Sequence, residues 1–290
     1  MKPAPFDFIR PESVDDIISI LSHTADAKLL AGGQSLIAMM NMRLARPSAL
    51  VTLHGVPGLD AIEEKDGAVT VGAMVVQERM RCLMSRRREF GALAEGIGYI
   101  GHPQTRSAGT VGGSIVHADP SAELPLLLQV YRGSLETVGP SGSRHIAAEE
   151  FFQFPFTTAL APDEILVATH WPVPTISSGG SFREFARRRG DFAIVAVACH
   201  ISIEDRRLID GRLGAAGVAG KAVTVDLPPD LRGRPLITEE AATYWLEMLM
   251  PLLDPPDDLE ASSDLRRTLV RTLSREVIAE AWVRAQGGTP

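Results

Sequence analysis

The chain has 290 residues, 45% hydrophobic and 22% charged, with a formal net charge of −7. That length supports a large core and two domains, and the acidic balance excludes bulk attraction to nucleic acid or to an acidic membrane surface. No run approaches the roughly 18 consecutive apolar residues of a membrane span, and the segment Met1 to Asp7 lacks the apolar stretch of a secretory signal, so a cytoplasmic protein is expected.

In chain order, Ser13 predicts a helix cap, with Asp16 in the first turn and Ile17, Ile18 and Leu21 on one face. Lys28 to Leu30 reads as a strand entering a glycine loop, Ser35 to Leu44 as a Met-rich helix stopped before Pro47, and Ala49 to Leu53 as a strand. Val69 to Ala73 follows the turn at Asp66-Gly67 as a strand; Gln77 to Ser85 and Glu89 to Gly98 read as helices. A second glycine loop precedes a buried helix at Glu123 to Tyr131, then strands at Ser134 to Val138 and Glu164 to Trp171. Pro172 to Gly180, with two prolines and two glycines, reads as the boundary. Beyond it come strands at Phe182 to Arg188, Phe192 to Ile203 and Arg207 to Val218, then helices at Thr238 to Leu253 and Ser263 to Gln286. The expected class is α+β, with domains at 1–175 (subdomains about 1–55 and 56–175) and 176–290.

The two glycine loops carry the chemistry. The first is Ala31-Gly32-Gly33-Gln34-Ser35-Leu36 after Leu29-Leu30; the second, about eighty residues on, is Thr110-Val111-Gly112-Gly113-Ser114. Glycine accepts positive φ and lets a bulky ligand approach the main chain, so successive amides can line an anion cradle. The Ser35 and Thr110 hydroxyls add donors. No Gly-Lys-Ser or Gly-Lys-Thr occurs, and neither loop is GxGxxG. Cys82 and Cys199 are too few for an iron–sulfur cluster's thiolate set and form no CxxC pair. They read as free thiols, so redox chemistry here needs an organic cofactor.

These motifs, with Arg43-Leu44, Val71-Gly72-Ala73, Gly101-His102-Pro103-Gln104, Arg106, Ala118-Asp119-Pro120, Glu123-Leu124-Pro125 and Gly190-Asp191-Phe192, resemble the FAD-binding (medium) subunits of molybdenum hydroxylases. This is the family of carbon monoxide dehydrogenase medium chains, nicotine dehydrogenase and the xanthine dehydrogenase flavin domain. The resemblance implies a two-part FAD-binding domain of the vanillyl-alcohol-oxidase/xanthine-dehydrogenase flavin type. A C-terminal domain with an antiparallel sheet and packed helices would follow it. It implies that Leu29, Leu30, Ala31, Gly32, Gly33, Gln34, Ser35 and Leu36 wrap the FAD diphosphate and part of the flavin. Thr110, Val111, Gly112, Gly113 and Ser114 would hold the diphosphate from the other side. Ile100 would be an apolar contact, Glu123 an acceptor for FAD hydroxyls, Leu166 a neighbour of the isoalloxazine ring and Arg183 a basic group near it. Glu123 stands where many relatives have Asp, Arg183 where Lys is frequent, and Thr52 where Asp is usual. The family's partners are a small iron–sulfur subunit and a large molybdopterin subunit, assembled as a dimer of heterotrimers that passes electrons to an external acceptor. No catalytic residue is assigned to this chain.

Other features read more plainly. His102, His117 and Asp119 match no familiar zinc spacing, so no metal is assigned. Arg187-Arg188-Arg189 lacks the interleaved aromatics of a nucleic-acid face, and Met39, Met40 and Met42 read as core filling. A stand-alone FAD oxidoreductase and a non-catalytic nucleotide-binding assembly module stay open as alternatives.

Overall fold

The computed structural model describes residues 2–235 and 238–288. Its first unit comprises β1 (Asp7–Ile9), α1 (Val14–His23), β2 (Ala27–Leu30), α2 (Leu36–Asn41) and β3 (Ala49–Thr52), with a parallel sheet ordered β1-β3-β2. The Ser13 cap forms as expected: its Oγ accepts from the Asp16 amide at 3.1 Å, while Asp16 Oδ2 accepts from the Glu12 amide at 3.1 Å.

Helix α2 ends at Asn41, three residues before the expected Leu44. Arg43 takes a left-handed φ of 60°. The Leu44 amide then reaches Met39 O at 2.9 Å and the Arg43 amide reaches Met40 O at 2.9 Å. This is a Schellman stop built without its usual glycine. Arg43→Gly is expected to raise stability by roughly 0.5–1 kcal/mol, because a left-handed Cβ is strained. Thermal denaturation checks this; an unchanged or lowered midpoint would show that Arg43 earns its place by other contacts.

The second unit holds β4 (Ile62–Lys65), β5 (Ala68–Gly72), α3 (Gln77–Met84), α4 (Gly91–Tyr99), α5 (Pro103–Ala108), α6 (Val111–His117), α7 (Glu123–Val130), β6 (Ser134–Gly139), β7 (Gly142–Ala147), α8 (Ala148–Phe151), β8 (Phe152–Phe154), β9 (Thr157–Thr158) and β10 (Ile165–Pro172). Five of these strands form an antiparallel sheet ordered β4-β5-β10-β6-β7. Every residue of α7 is buried, as its apolar run predicts.

The last unit is an antiparallel sheet of β11 (Ser177–Phe185), β12 (Val195–Glu204), β13 (Arg207–Ala216) and β14 (Val223–Asp226) in sequence order, followed by α9 (Glu239–Leu249) and α10 (Ser263–Ala285). Asp205 and Arg206, both at positive φ, make the tight turn between β12 and β13. One face of this sheet packs on α10, the other on α4 and α7.

Strand β11 begins five residues before the expected Phe182. It starts at Ser177, inside the segment read as a linker, and Gly179 and Gly180 lie within it. A Cβ on Gly179 would stand 2.3 Å from the Ala285 amide nitrogen, and one on Gly180 would stand 3.0 Å from the Ala92 Cβ. The glycine pair therefore lets α10 press on one face of the strand and α4 on the other. Arg284 closes this junction, donating to Gly180 O at 2.7 Å and to Glu95 Oε1 at 2.5 Å. A single apolar cluster runs from Val69 and Trp171 across to Phe182, Ala196 and Ala216. Cys199 is buried and Cys82 exposed, and both are free.

Candidate functional site

The first glycine loop leaves β2 at Leu30 and enters α2 at Leu36. Gly33 sits at φ +70°, a conformation glycine adopts without Cβ strain. Gln34 Nε2 donates to Gly32 O at 3.1 Å and braces the turn. A Cβ on Gly32 would lie 2.2 Å from Ala108 O and 2.8 Å from the Gly109 Cα. Only a bare Cα lets this loop lie against the end of α5. Among the described residues, the amides of Gly32, Gly33, Gln34, Ser35 and Leu36 find no protein acceptor. Five successive free N–H groups at a strand-to-helix turn form a cradle suited to phosphate oxygens.

The second motif is built differently. Thr110 caps α6, its Oγ1 accepting from the Gly113 amide at 3.1 Å. The Val111 amide donates to Val75 O at 2.9 Å, the Gly112 amide to Ala73 O at 2.9 Å and the Ser114 amide to Thr110 O at 3.2 Å. These four amides are spent inside the protein, while that of Thr110 finds no acceptor among the described residues, and Gly112 and Gly113 lie in a helix rather than a loop. Gly112 is required for a close approach: its Cβ would stand 2.5 Å from the Ala73 Cβ. The two motifs still meet, for a Cβ on Gly113 would be 3.5 Å from the Ala31 Cβ. This motif can offer a ligand the Ser114 hydroxyl, which like that of Ser35 has no hydrogen bond among the described residues.

A cleft of 630 Å³ opens beside this junction, lined by Ala31, Gly32, Thr110, Ala108, the Leu53–Pro57 loop and Val75 among others. Thr52 shapes that loop by accepting the His54 amide at 3.2 Å on Oγ1. Arg79 stands at the cleft and donates to Asp60 O at 2.7 Å. Neither His54 nor Arg79 carries a local motif that the sequence reading could have used.

The remaining predicted residues divide. Ile100 ends α4, and its carbonyl accepts from buried Arg106 Nη1 at 3.1 Å. Arg106 Nε also donates to Glu78 Oε2 at 2.8 Å. Arg81 first, then Arg106, pull the Glu78 carboxyl down to about 2, so this clamp on the second wall persists through ordinary acid. Leu29 and Leu30 are half-buried in β2. Leu166 lies 3% exposed inside the main core, next to an irregular step in the register of β10. None of these four lines the cleft beside Gly32.

Glu123 opens α7 and is buried. Burial, with repulsion from Asp119, pushes its carboxyl up to about 7. Asp119 itself shapes the turn before α7, accepting the Ser121 amide at 2.8 Å. Glu184 of β11 faces Glu123. Burial and then the Glu123 charge push it up to about 8, and its Oε2 has no partner among the described residues. Both shifts favour the protonated form, which adds an O–H donor to the acceptors these carboxyls offer.

Arg183 is not brought to this site. It lies one residue from Glu184 on β11, and alternation turns it to the α10 face, where its guanidinium pairs with Glu280 and donates to Phe182 O. The side chain that faces Glu123 from this strand is the neighbouring carboxylate, which sequence reading missed.

The loop amides and the uncommitted serine hydroxyls are donors of the kind a diphosphate such as that of FAD requires. The comparisons give the family. The sequence model of the FAD binding domain in molybdopterin dehydrogenase matches residues 4–174, and that of the CO dehydrogenase flavoprotein C-terminal domain matches residues 180–281. The chain is 36% identical to the nicotine 6-hydroxylase medium subunit of Paenarthrobacter nicotinovorans, over 98% of this chain and 100% of that one. It superposes with a TM-score of 0.93 and 29% identity on a chain of carbon monoxide dehydrogenase from Hydrogenophaga pseudoflava, covering 98% of this chain and 99% of that one. Against a chain of quinoline 2-oxidoreductase from Pseudomonas putida 86 the TM-score is 0.90 at 32% identity, with 99% of each chain covered. The chain belongs to the family of FAD-binding medium subunits of molybdenum-containing hydroxylases, as an oxidoreductase flavoprotein component.

Proposed function

We propose that this chain is the flavin electron-transfer subunit of a cytoplasmic heterotrimer. A small iron–sulfur subunit delivers electrons to it, and a large molybdopterin subunit carries out the substrate chemistry. The flavin passes the electrons to an external acceptor, and two heterotrimers pair into a dimer. The five free amides of Gly32 to Leu36 carry this reading, because they form a diphosphate cradle already folded and unsatisfied by the protein. FAD supplies the exchange of electrons between single and paired steps. The protein binds and orients it: the first loop takes the diphosphate, Ser35 and Ser114 add hydroxyl donors, and Glu123 with Glu184 hold hydroxyl groups through a retained proton. Leu29, Leu30, Ile100 and Leu166, which do not line the cleft beside Gly32, are its apolar backing, and the wall from Thr110 to Ser114 is its hydroxyl-bearing side. No helix among the described residues is long and apolar enough to cross a membrane.

The test is purification of the chain from its native host under anaerobic conditions. The expected result is a yellow chain held by a cysteine-rich small partner and a large partner. Its flavin should bleach with substrate only when both partners are present. Bleaching of the isolated chain by substrate would identify a stand-alone oxidoreductase instead. A colourless chain alongside its partners would leave only an assembly role.

A further inference from the structure

The outer face of the five-stranded sheet carries a cluster that the flavin site does not use. Glu136 on β6 lies directly opposite His145 on β7, and His170 on β10 pairs with Ser134, two residues along the same face of β6. The intervening Leu135, Ile146 and Trp171 point the other way, into the core. One ligating atom from each of Glu136, His145 and His170 lies within 4.8 Å of the others. The two imidazole rings are 5.1 Å apart between centroids.

Two features single out His170. Its Nε2 is buried without a hydrogen-bond partner among the described residues, and it lies 3.6 Å from Glu136 Oε2. Its Nδ1 lies 3.0 Å from Thr70 Oγ1 on β5. With the proton on Nδ1 donated to that hydroxyl, the Nε2 lone pair points at Glu136. A histidine held in this way by an outer partner is the arrangement that orients a metal ligand.

We propose that Glu136, His145 and His170 bind a divalent transition-metal ion, zinc by preference, which clips edge strand β7 to β6 and β10. Two imidazoles and one carboxylate are a zinc donor set, with water free to take a fourth position. Exposed His145 supplies the rotamer freedom to draw the three atoms to the roughly 2.0–2.2 Å of zinc ligation. The site is independent of the flavin reading. It lies on the face of the sheet opposite the core that α6 and α7 cover, whereas the glycine motifs meet on the Ala73 side.

The test uses the full chain without an affinity tag, carrying its flavin, stripped with chelator and desalted. Zn2+ is titrated by calorimetry and Co2+ by visible absorption. The expected result is one ion per chain, tetrahedral Co2+ bands, and a raised thermal midpoint in excess Zn2+. Because His145 is exposed, His145→Ala should fold with unchanged flavin content and lose the Co2+ bands. Thr70→Val should weaken Zn2+ binding by about 10–100-fold. Absence of saturable binding by either ion would overturn the site, as would stoichiometric binding that survives His145→Ala.

Discussion

Gly32→Ala is expected to strip the chain of flavin. The added methyl would meet Ala108 O at 2.2 Å, the Gly109 Cα at 2.8 Å and the Ala108 carbonyl carbon at 3.0 Å. All three are backbone atoms, so no side chain can swing aside. The loop has to lift from the end of α5, and its free amides lose their common aim. Overpacking of this kind costs about 1–3 kcal/mol in stability. A comparable loss in the cradle lowers FAD affinity by tenfold for each 1.4 kcal/mol. Gly33→Ala is the control. Its nearest neighbours are the flexible ends of Ile37 at 3.2 Å and Leu30 at 3.4 Å, so its cost is the roughly 1–2 kcal/mol of a left-handed alanine. The ratio of flavin to protein absorbance in the purified variants reads the difference. A Gly32→Ala chain with full flavin would mean that the contact between loop and α5 does not set the cradle.

Stability is expected to fall as pH rises from about 5 to 8. In the folded chain Glu123 lies at about 7 and Glu184 at about 8, against an ordinary glutamate value of 4.5. Burial is the first cause for both; Asp119 repels Glu123, and Glu123 repels Glu184. Through these two groups the folded state binds more protons than the unfolded state between these limits and the slope of stability against pH is negative; buried His200, lowered to about 4, opposes them only below its ordinary 6.5, so the decline is steepest above that. Stability is fully present below the unfolded value and is lost as pH rises through the folded values. The loss amounts to about 3 kcal/mol for Glu123 alone, at 1.36 kcal/mol for each step of one in pKa. Glu184→Gln keeps a hydrogen-bonding amide and removes a charge. It should leave stability near pH 5 unchanged and flatten the decline toward pH 8. Urea denaturation at the two ends of this range measures both slopes. A wild-type chain equally stable at both, or more stable at the higher pH, would show that these carboxylates are solvated and ionised.

Much of the architecture was legible because period and punctuation agree with the tertiary packing. Ser13 caps α1 where its hydroxyl and Asp16 predict. The apolar run from Glu123 becomes a fully buried helix, and α10 ends one residue from its expected limit. Glycine pairs read as loops where the structure has a strand and a helix. Gly179 and Gly180 look like a chain break, yet they are the two bare faces of a strand clasped by helices. Gly112 and Gly113 read as a loop, yet they open a helix pressed on Ala73. Composition alone cannot separate these roles, because each depends on which backbone approaches the missing Cβ. The face of β11 was equally hidden. A one-residue alternation decides whether Arg183 or Glu184 looks toward Glu123, and only the neighbouring sheet and helix settle it. Glu136, His145 and His170 come together through strand register, which leaves no spacing signature in the chain.

The first glycine loop is proposed to supply most of the amides for the cofactor diphosphate, with that of Thr110 the one uncommitted amide of the second motif. Amide hydrogen exchange with and without FAD tests it most directly. The account predicts fast exchange at Gly32 to Leu36 in the flavin-free chain and strong protection there once FAD is bound. The amides of Val111 to Ser114, already bonded to Val75, Ala73 and Thr110, should be protected in both states. Protection by FAD at Val111 to Ser114, with no change at Gly32 to Leu36, would contradict it.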